Sequence, residues 1–359
     1  MRRFLFWLFP IVGVLCLLTW LWSADPKVPS QETNTSTKIT ATPVVDSVSA
    51  PRRILFVHSY HQGYPWTDGI LAGFVKTLDL HQQQKPNFWG ADGFVLQTFY
   101  MDTKRNTTEE SMKASANQAR ELIESWQPDI VITSDDNAVR YLVVPILEHS
   151  SLPFIFCGVN WNASEYNLPS SRVTGIIEVQ PIDQILSTLQ PFARGIKVGF
   201  LKGNDSSAIK EASAFENFLG ISLQSRFVAN FEEWLIAYRE LQQTSDILLI
   251  GNPASIDGWD PLRAKQLVAT ATKIPTGTWD AWMRDYALVT FSTVPEEQGV
   301  WVADAARSIL AGKPLIEIPA SRNQKAKIYR NMAIAKQLNI VFPMEFIRRS
   351  WAVEKTQKQ

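Results

Sequence analysis

The chain has 359 residues, of which 45% are apolar and 19% are charged. This is the composition of a folded globular protein that is long enough for two domains. Lysine and arginine together number 35, as do aspartate and glutamate, so the formal net charge is zero. No global field therefore attracts nucleic acid or an acidic membrane surface, and we expect no nucleic-acid partner.

The N-terminus carries the pattern of an export signal. Residues 4–22 are almost all apolar, and Arg2 and Arg3 precede them. At ~20 residues the run is also long enough to span a bilayer. The following "WSADP" is a poor cleavage site, so residues 1–23 favour a retained signal anchor over a cleaved signal peptide. In either form, we expect the rest of the chain on the periplasmic side of a bacterial inner membrane.

A polar segment separates this run from the folded part. Residues 24–51 are rich in Ser, Thr, Pro and Val and have no helical period. We interpret them as a flexible spacer, which spans roughly 30 Å as a random coil. A spacer is consistent with a retained anchor, because a freely diffusing protein does not need a tether.

From Arg52 onward, short apolar runs alternate with helical patterns. The first series includes the strands "RRILFVHSY", "FVLQTFYMD", "DIVITSD" and "PFIFCGVN". A second series starts near Val173 with "VTGIIEV" and continues through "IKVGFLKGND", "SLQSRFVAN" and "DILLIGNPA". Nearly continuous apolar strands between helices are typical of parallel sheets that are covered on both faces. We therefore predict an α/β fold with two doubly wound parallel-sheet lobes.

We place the lobe boundaries where the pattern restarts. Lobe 1 is predicted to contain residues 52–172 plus about 286–318. Lobe 2 is predicted to contain residues 173–285 plus about 319–351. In such sheets ligands bind beyond the carboxyl ends of the strands, so the loops after the strands are the candidate site.

These loops combine short hydrogen-bonding side chains with aromatic rings. Loop propensity explains Asn, Asp, Ser and Gly, but it does not explain exposed aromatic rings. The combination suits a small polar organic ligand.

The stretch "HSYHQGYPWTDG", residues 58–69, allows sharper interpretations. A metal site is one, but the chain has only four histidines and no third ligand at the usual spacing. A periplasmic hydrolase in which His61 and Asp136 form an acid–base pair is another. No nucleophile elbow, phosphate loop or zincin motif accompanies that pair. We favour ligand binding, and we predict no metal and no cofactor.

Several stretches resemble a known family. "EEQGVWVADAARSILAGKPLIEIP" and "YRNMAIAKQLNIVFPMEFIRRS" are similar to the closing part of the periplasmic substrate-binding proteins of ABC transporters, in the type I group that includes aromatic amino-acid binders. Asn339 stands where the family usually has Gly, and Ser350 where it usually has Ala. "TSDDNAVRYLVVP" and "FCGVNW" resemble a subgroup found as free proteins and as extracytoplasmic sensing domains. The resemblance implies two hinged lobes that close on a ligand in the cleft between them.

The combined expectation is an extracytoplasmic solute-binding protein and not an enzyme. Its ligand is expected to be amino-acid-like or amine-bearing, since aromatic faces beside carboxylates suit an amine. The same set of residues also fits a sugar. The partner would be an ABC permease or a membrane signalling protein. A membrane-anchored sensory module that regulates a histidine kinase or a cyclase is the alternative. The predicted ligand-binding residues are Ser59, Tyr60, His61, Trp66, Asp136, Asn137, Asn160 and Trp161 in lobe 1, and Asn204, Asp205, Asn252, Trp279 and Asp280 in lobe 2.

Overall fold

The structure is a computed structural model that describes residues 50–84, 87–90 and 92–353. The predicted anchor, residues 1–23, and residues 24–49 of the predicted spacer lie outside the described residues. The described residues belong to one compact unit, Ser49–Gln359. Within them, no helix has both the length and the apolar character that crossing a bilayer requires.

Two sheets organise the described residues. Their strands are β1 (Arg52–His58), β2 (Leu80–Gln84), β3 (Asn87–Gly90), β4 (Phe94–Tyr100), β5 (Ile130–Ser134), β6 (Phe154–Asn160), β7 (Val173–Glu178), β8 (Val198–Gly203), β9 (Leu223–Val228), β10 (Ile247–Ile250), β11 (Thr276–Thr278), β12 (Val289–Thr293), β13 (Ser321–Arg322), β14 (Ala326–Arg330) and β15 (Trp351–Ala352). The first sheet has the order β13-β7-β6-β5-β1-β4-β3-β2, and the second has the order β15-β14-β12-β11-β10-β8-β9. Pairing is parallel except at β2–β3, β3–β4 and β12–β14.

Helices cover both sheets. They are α1 (Pro65–Thr77), α2 (Glu109–Trp126), α3 (Asp135–Ala138), α4 (Val144–Ile146), α5 (Ile182–Leu189), α6 (Ser206–Leu219), α7 (Phe231–Thr244), α8 (Pro261–Ala271), α9 (Pro295–Leu310), α10 (Met332–Gln337) and α11 (Met344–Arg348). A π-helical turn, Val139–Val143, joins α3 to α4. The predicted α/β fold with two lobes built on parallel sheets is therefore confirmed.

Side chains of the first sheet alternate between two apolar cores. Along β1, Ile54 and Phe56 pack in one core together with residues of α1 and α9. Leu55 and Val57 pack in the other, together with residues of α2. A strand that is apolar on both faces is the expected signature of a central parallel strand. This is why the run "ILFV" is continuous and does not alternate with polar residues.

Local sequence signals determine where the helices start and end. In α2 the side chain of Thr108 accepts a hydrogen bond from the amide of Ser111 at 3.2 Å, which is an N-cap. Gln127 then adopts a left-handed conformation after the last helical residue, and Pro128 follows it. Such signals made this helix predictable.

The lobe boundaries differ from those predicted. Val173–Glu178 pairs with β6 in the first sheet, so the first lobe extends past residue 172. β12 lies in the second sheet, although we assigned residues from 286 onward to the first lobe. Ser321–Arg322 pairs with β7 in the first sheet, although we assigned it to the second lobe. The alternation of elements locates strands but does not say which distant strand each one pairs with.

Three segments connect the two lobes. They follow β7, β12 and β13. The buried side chain of Asn323 joins two of these segments, since it accepts a hydrogen bond from the Val179 amide at 2.7 Å and donates one to the Val179 carbonyl at 3.0 Å. Hydrogen bonds between the Asn323 side chain and the main chain of Val179 therefore fix two of the connecting segments to each other.

Candidate functional site

The end of β1 forms a buried scaffold. Ser59 is fully buried, and its hydroxyl donates to the Ser134 carbonyl at 2.6 Å and accepts from the Ala138 amide at 2.8 Å. It therefore links β1 to the start of α3. Asn137, on α3, donates to the Thr103 hydroxyl at 2.9 Å. Both predicted site residues hold the loops of the first lobe together.

The histidines of the "HSYHQGYPWTDG" stretch have separate environments. His58 is buried between Phe56 and Tyr100, with ring centroids 4.1 and 5.1 Å away, and burial lowers its pKa to about 3. His61 has its Nδ1 atom 3.4 Å from Asp102 Oδ1. The structure therefore places His61 beside Asp102, whereas the acid–base pair considered above joined His61 with Asp136. Among the described residues, no group of three or more His, Cys, Asp or Glu side chains is placed to hold a metal ion.

A small aromatic surface follows β1. The rings of Tyr60 and Tyr64 meet edge to face, with centroids 5.2 Å apart. The ammonium of Lys104 lies 4.4 Å from the centroid of the Tyr60 ring and 5.5 Å from that of the Tyr64 ring. Burial raises the pKa of Tyr60, and the charges of Asp135 and Asp136 raise it further. The Tyr60 hydroxyl therefore stays protonated and can act as a hydrogen-bond donor.

Asp135 is a buried carboxyl that we did not predict. It adopts a left-handed conformation, with φ of 68°, where β5 turns into α3. Trp66 donates a hydrogen bond from Nε1 to Asp135 Oδ1 at 2.9 Å. The polar atom of this predicted site residue is therefore used within the first lobe. Burial raises the pKa of Asp135 to about 7. No periodicity in the sequence around "SDDN" could show that Asp135 is buried.

Asp136, the next residue, accepts hydrogen bonds from neutral donors. Asn160 Nδ2 donates to Asp136 Oδ2 at 2.7 Å, and the Tyr166 hydroxyl donates to Asp136 Oδ1 at 2.9 Å. Arg140 in turn donates to the Tyr166 hydroxyl at 3.2 Å. The structure thus brings the predicted residues Asp136 and Asn160 together and adds Tyr166, which lies on a separate 3₁₀ turn.

In the second lobe two predicted residues meet. Asn252 donates from Nδ2 to Asp280 Oδ2 at 3.0 Å. Burial raises the pKa of Asp280. Since the two residues follow the neighbouring strands β10 and β11, the carboxyl ends of parallel strands explain their proximity.

The other predicted residues of this lobe serve the fold. Trp279 is buried, with its ring stacked on Phe200 at 5.9 Å between centroids. Asp205 caps α6, because its carboxylate accepts from the Ala208 amide at 2.7 Å. The exposed Asn204 uses its amide to bond the Val228 carbonyl at 2.9 Å.

An ion pair that we did not predict lies between β8 and α6. The ammonium of Lys202 donates to Glu211 Oε2, and both side chains are largely buried. Burial raises the pKa of Glu211, while the charge of Lys202 lowers it. The spacing of nine residues from a strand to a helix carries no signal in the sequence.

A cavity of about 700 Å³ lies between residues of the two lobes. We call it the charged cavity. Its lining residues are Asp136, Arg140, Asn160, Trp161, Asn162, Ser164 and Glu165 from the first lobe, and Lys202, Ser207, Lys210 and Glu211 from the second. Three acidic and three basic side chains therefore line it, beside the indole of Trp161. Of the predicted site residues, Asp136, Asn160 and Trp161 line this cavity.

Carboxyl groups of both lobes influence one another. Burial raises the pKa of Glu178 well above its ordinary range, and the charges of Asp135, Asp136 and Asp280 raise it further. The last of these belongs to the second lobe. Carboxyl groups of both lobes therefore lie close enough to Glu178 to favour its protonated form.

Comparisons with known proteins agree with this architecture. The family model described as ABC transporter substrate binding protein matches residues 99–353. A comparison with curated proteins found no match.

Three solved structures are similar to the chain in fold. One is an ABC domain in complex with L-Trp from Streptococcus pneumoniae, with a TM-score of 0.52 at 16% identity, covering 85% of this chain and 100% of that one. Another is a ligand-free, open substrate-binding protein with adhesive properties from Clostridium difficile, with a TM-score of 0.61 at 17% identity and the same coverage. A conserved domain protein from Vibrio cholerae has a TM-score of 0.52 at 15% identity, covering 84% and 99% of the two chains.

Proposed function

Because the chain belongs to the ABC transporter substrate-binding protein family, we propose that it captures a small amino-acid-like or amine-bearing ligand outside the cytoplasm. The two lobes close on the ligand, and the protein delivers it to an ABC permease. It binds its ligand without transforming it. Closure follows because the full binding energy is realised only when both lobes contact the ligand.

The charged cavity is the observation that carries this proposal. Two of its side-chain pairs are already ion pairs, Arg140–Glu165 at 3.4 Å and Lys202–Glu211. Asp136 instead receives its hydrogen bonds from the neutral donors Asn160 and Tyr166. An oriented carboxylate whose hydrogen bonds come from neutral donors is suited to bind a ligand ammonium.

The carboxylate of an amino-acid ligand would face the start of α6. Ser207 and Lys210 line the cavity there, and Lys210 is exposed. A ligand carboxylate would be attracted both by the ammonium and by the positive end of the helix dipole. The indole of Trp161 offers an apolar face between the two ends. This distribution supports a zwitterion or an amine over a sugar or a multiply charged anion.

A sensory role is the second candidate. The apolar run of residues 4–22 and the spacer after it support a protein that stays tethered near the membrane, as predicted above. In that case the closed lobes would contact a membrane signalling protein instead of a permease. Copurification of the full chain from membranes with a permease or with a signalling protein distinguishes the two.

The test is ligand-dependent thermal stabilisation of the full chain. Amino acids and simple amines are expected to raise Tm in a dose-dependent way, because a ligand that binds only the folded state stabilises it. Asp136→Asn is expected to weaken this binding at least about tenfold, since a charge-assisted hydrogen bond contributes roughly 1.5–3 kcal/mol. Glu124→Gln, which changes an exposed carboxylate on α2, is the matched control and should bind as the wild type does. Stabilisation by neutral sugars alone would contradict the proposal.

A further inference from the structure

A second cavity lies next to the charged cavity along α6. Its volume is about 500 Å³. Six of the residues that line it are Trp161, Asn162, Ile209, Lys210, Ala214 and Phe218. Because Trp161, Asn162 and Lys210 also line the charged cavity, the two cavities are adjacent, and we refer to them together as the groove. We call the second part the apolar cavity.

The lining of the groove changes character along α6. Ser207, Lys210, Ala214 and Phe218 follow one another at spacings of three and four residues, so they lie on one face of the helix. The polar pair lies at the N-terminal end of this face, within the charged cavity. The apolar pair lies at the C-terminal end, within the apolar cavity. This helix face is therefore polar at its N-terminal end and apolar at its C-terminal end.

Apolar side chains are exposed in this second part. Ile209 is 50% exposed and Phe218 is 37% exposed, although both are large and apolar. Apolar side chains grouped beside a ligand cavity are characteristic of a binding surface. The Trp161 ring lies against this surface, with its centroid 6.1 Å from that of Phe218.

We propose that the apolar cavity binds an apolar side chain of a short peptide whose amine lies in the charged cavity. The inference rests on the proposed function and narrows its ligand to compounds larger than a small free amino acid. A pocket for a drug-sized ligand has a volume of about 300–1,000 Å³. A molecule the size of alanine would leave most of the groove filled with water. A short peptide with apolar side chains would fill both cavities.

The experiment compares L-alanine with L-leucyl-L-leucine by isothermal titration calorimetry on the full chain. The dipeptide is expected to bind at least about tenfold more tightly than alanine, because it buries additional apolar surface. In Ala214→Trp, whose indole would occupy the apolar cavity, the ratio of the two dissociation constants is expected to fall to about one. Ile209→Ser, which removes apolar surface from the cavity, should reduce the ratio several-fold. Ala114→Trp makes the same change as the first variant at an exposed position of α2 and should keep the wild-type ratio.

The outcomes separate this inference from the proposed function. Equal binding of alanine and the dipeptide by the wild type would overturn the apolar subsite and leave the proposed function intact. A tenfold ratio that survives both Ala214→Trp and Ile209→Ser would also overturn it. If neither probe nor any other amine binds, the proposed function fails and the subsite fails with it.

Discussion

At the scale of single residues, the two adjacent acids Asp135 and Asp136 have opposite roles. Asp135 is buried against Trp66, and its pKa is raised to about 7. Asp136 is partly exposed at the charged cavity and receives hydrogen bonds from Asn160 and Tyr166. Asp135 adopts a left-handed backbone conformation at this point, where β5 ends and α3 begins.

The raised pKa of Asp135 predicts a pH-dependent stability. A carboxyl whose pKa is 3.8 in the unfolded chain and about 7 in the folded one binds its proton more tightly when folded. Its contribution therefore lowers stability as pH rises from about 4 to about 7, by up to about 4 kcal/mol. Asp135→Asn cannot ionise, so its free energy of unfolding should fall less than that of the wild type across this window.

Urea denaturation between pH 4.5 and pH 8 measures this difference. Glu211 and Asp280, whose pKa values are also raised, remain in both proteins and cancel in the comparison. The pKa of Glu178 is raised partly by the charge of Asp135, so it should fall in the variant, and this change adds to the difference in the same direction. Parallel stability curves for the wild type and the variant would show that Asp135 ionises normally.

At the scale of elements, α1 and α9 approach each other unusually closely. A Cβ atom on Gly299 would lie 1.9 Å from the Ile70 carbonyl oxygen, and one on Gly73 would lie 2.2 Å from the Glu296 carbonyl oxygen. The two glycines thus allow the helix backbones to touch. α9 follows β12 of the second lobe in the chain, and this contact packs it against α1 of the first lobe.

Gly299→Ala is expected to destabilise the protein by about 1–3 kcal/mol, because the added methyl group overpacks a backbone contact. Helix propensity alone would favour alanine, so a loss of stability isolates the steric effect. The free energy of unfolding from urea titration is the measurement. Asn117→Ala, at an exposed position of α2, is the control and should not destabilise. A Gly299→Ala protein as stable as the wild type would contradict the close approach.

At the scale of the whole molecule, one aromatic side chain of the first lobe packs on the second. The ring centroid of Trp161 lies 5.1 Å from that of Phe215 and 6.1 Å from that of Phe218, both on α6. Arg322, on β13 of the first lobe, lies 4.9 Å from the centroid of the Phe218 ring. These contacts join the lobes beside the charged cavity.

Trp161→Ala is expected to weaken the contact between the lobes and to reduce ligand affinity at least about tenfold. The partly buried Trp161 makes two aromatic contacts with α6, and an aromatic pair contributes about 0.5–1.5 kcal/mol beyond the area it buries. Small-angle X-ray scattering without ligand should show a larger radius of gyration for this variant than for the wild type. Trp282→Ala, which removes a tryptophan that is 57% exposed, should change neither quantity. An unchanged radius of gyration in Trp161→Ala would show that the three connecting segments alone set the angle between the lobes.

Some of the predicted site residues line the charged cavity and others do not, for a physical reason. Asp136, Asn160 and Trp161 line the charged cavity, whereas Ser59 and Trp279 are buried. Each of them lies at the carboxyl end of a strand or just after it, which is what the sequence can indicate. Whether a residue after a strand turns inward or outward depends on the backbone angles and on the neighbouring loop.

The amino-acid sequence by itself determined the alternation of strands and helices, the family and the loops in which a site could lie, because each of these depends on residues that are close together in the chain. The tertiary structure decided which lobe β7, β12 and β13 join, that Tyr166 orients Asp136, and that α6 carries two adjoining cavities. These features depend on strand pairing and packing between residues that are distant in the chain. Periodicity in a short window contains no information about such contacts, since it reports only which side of an element is buried.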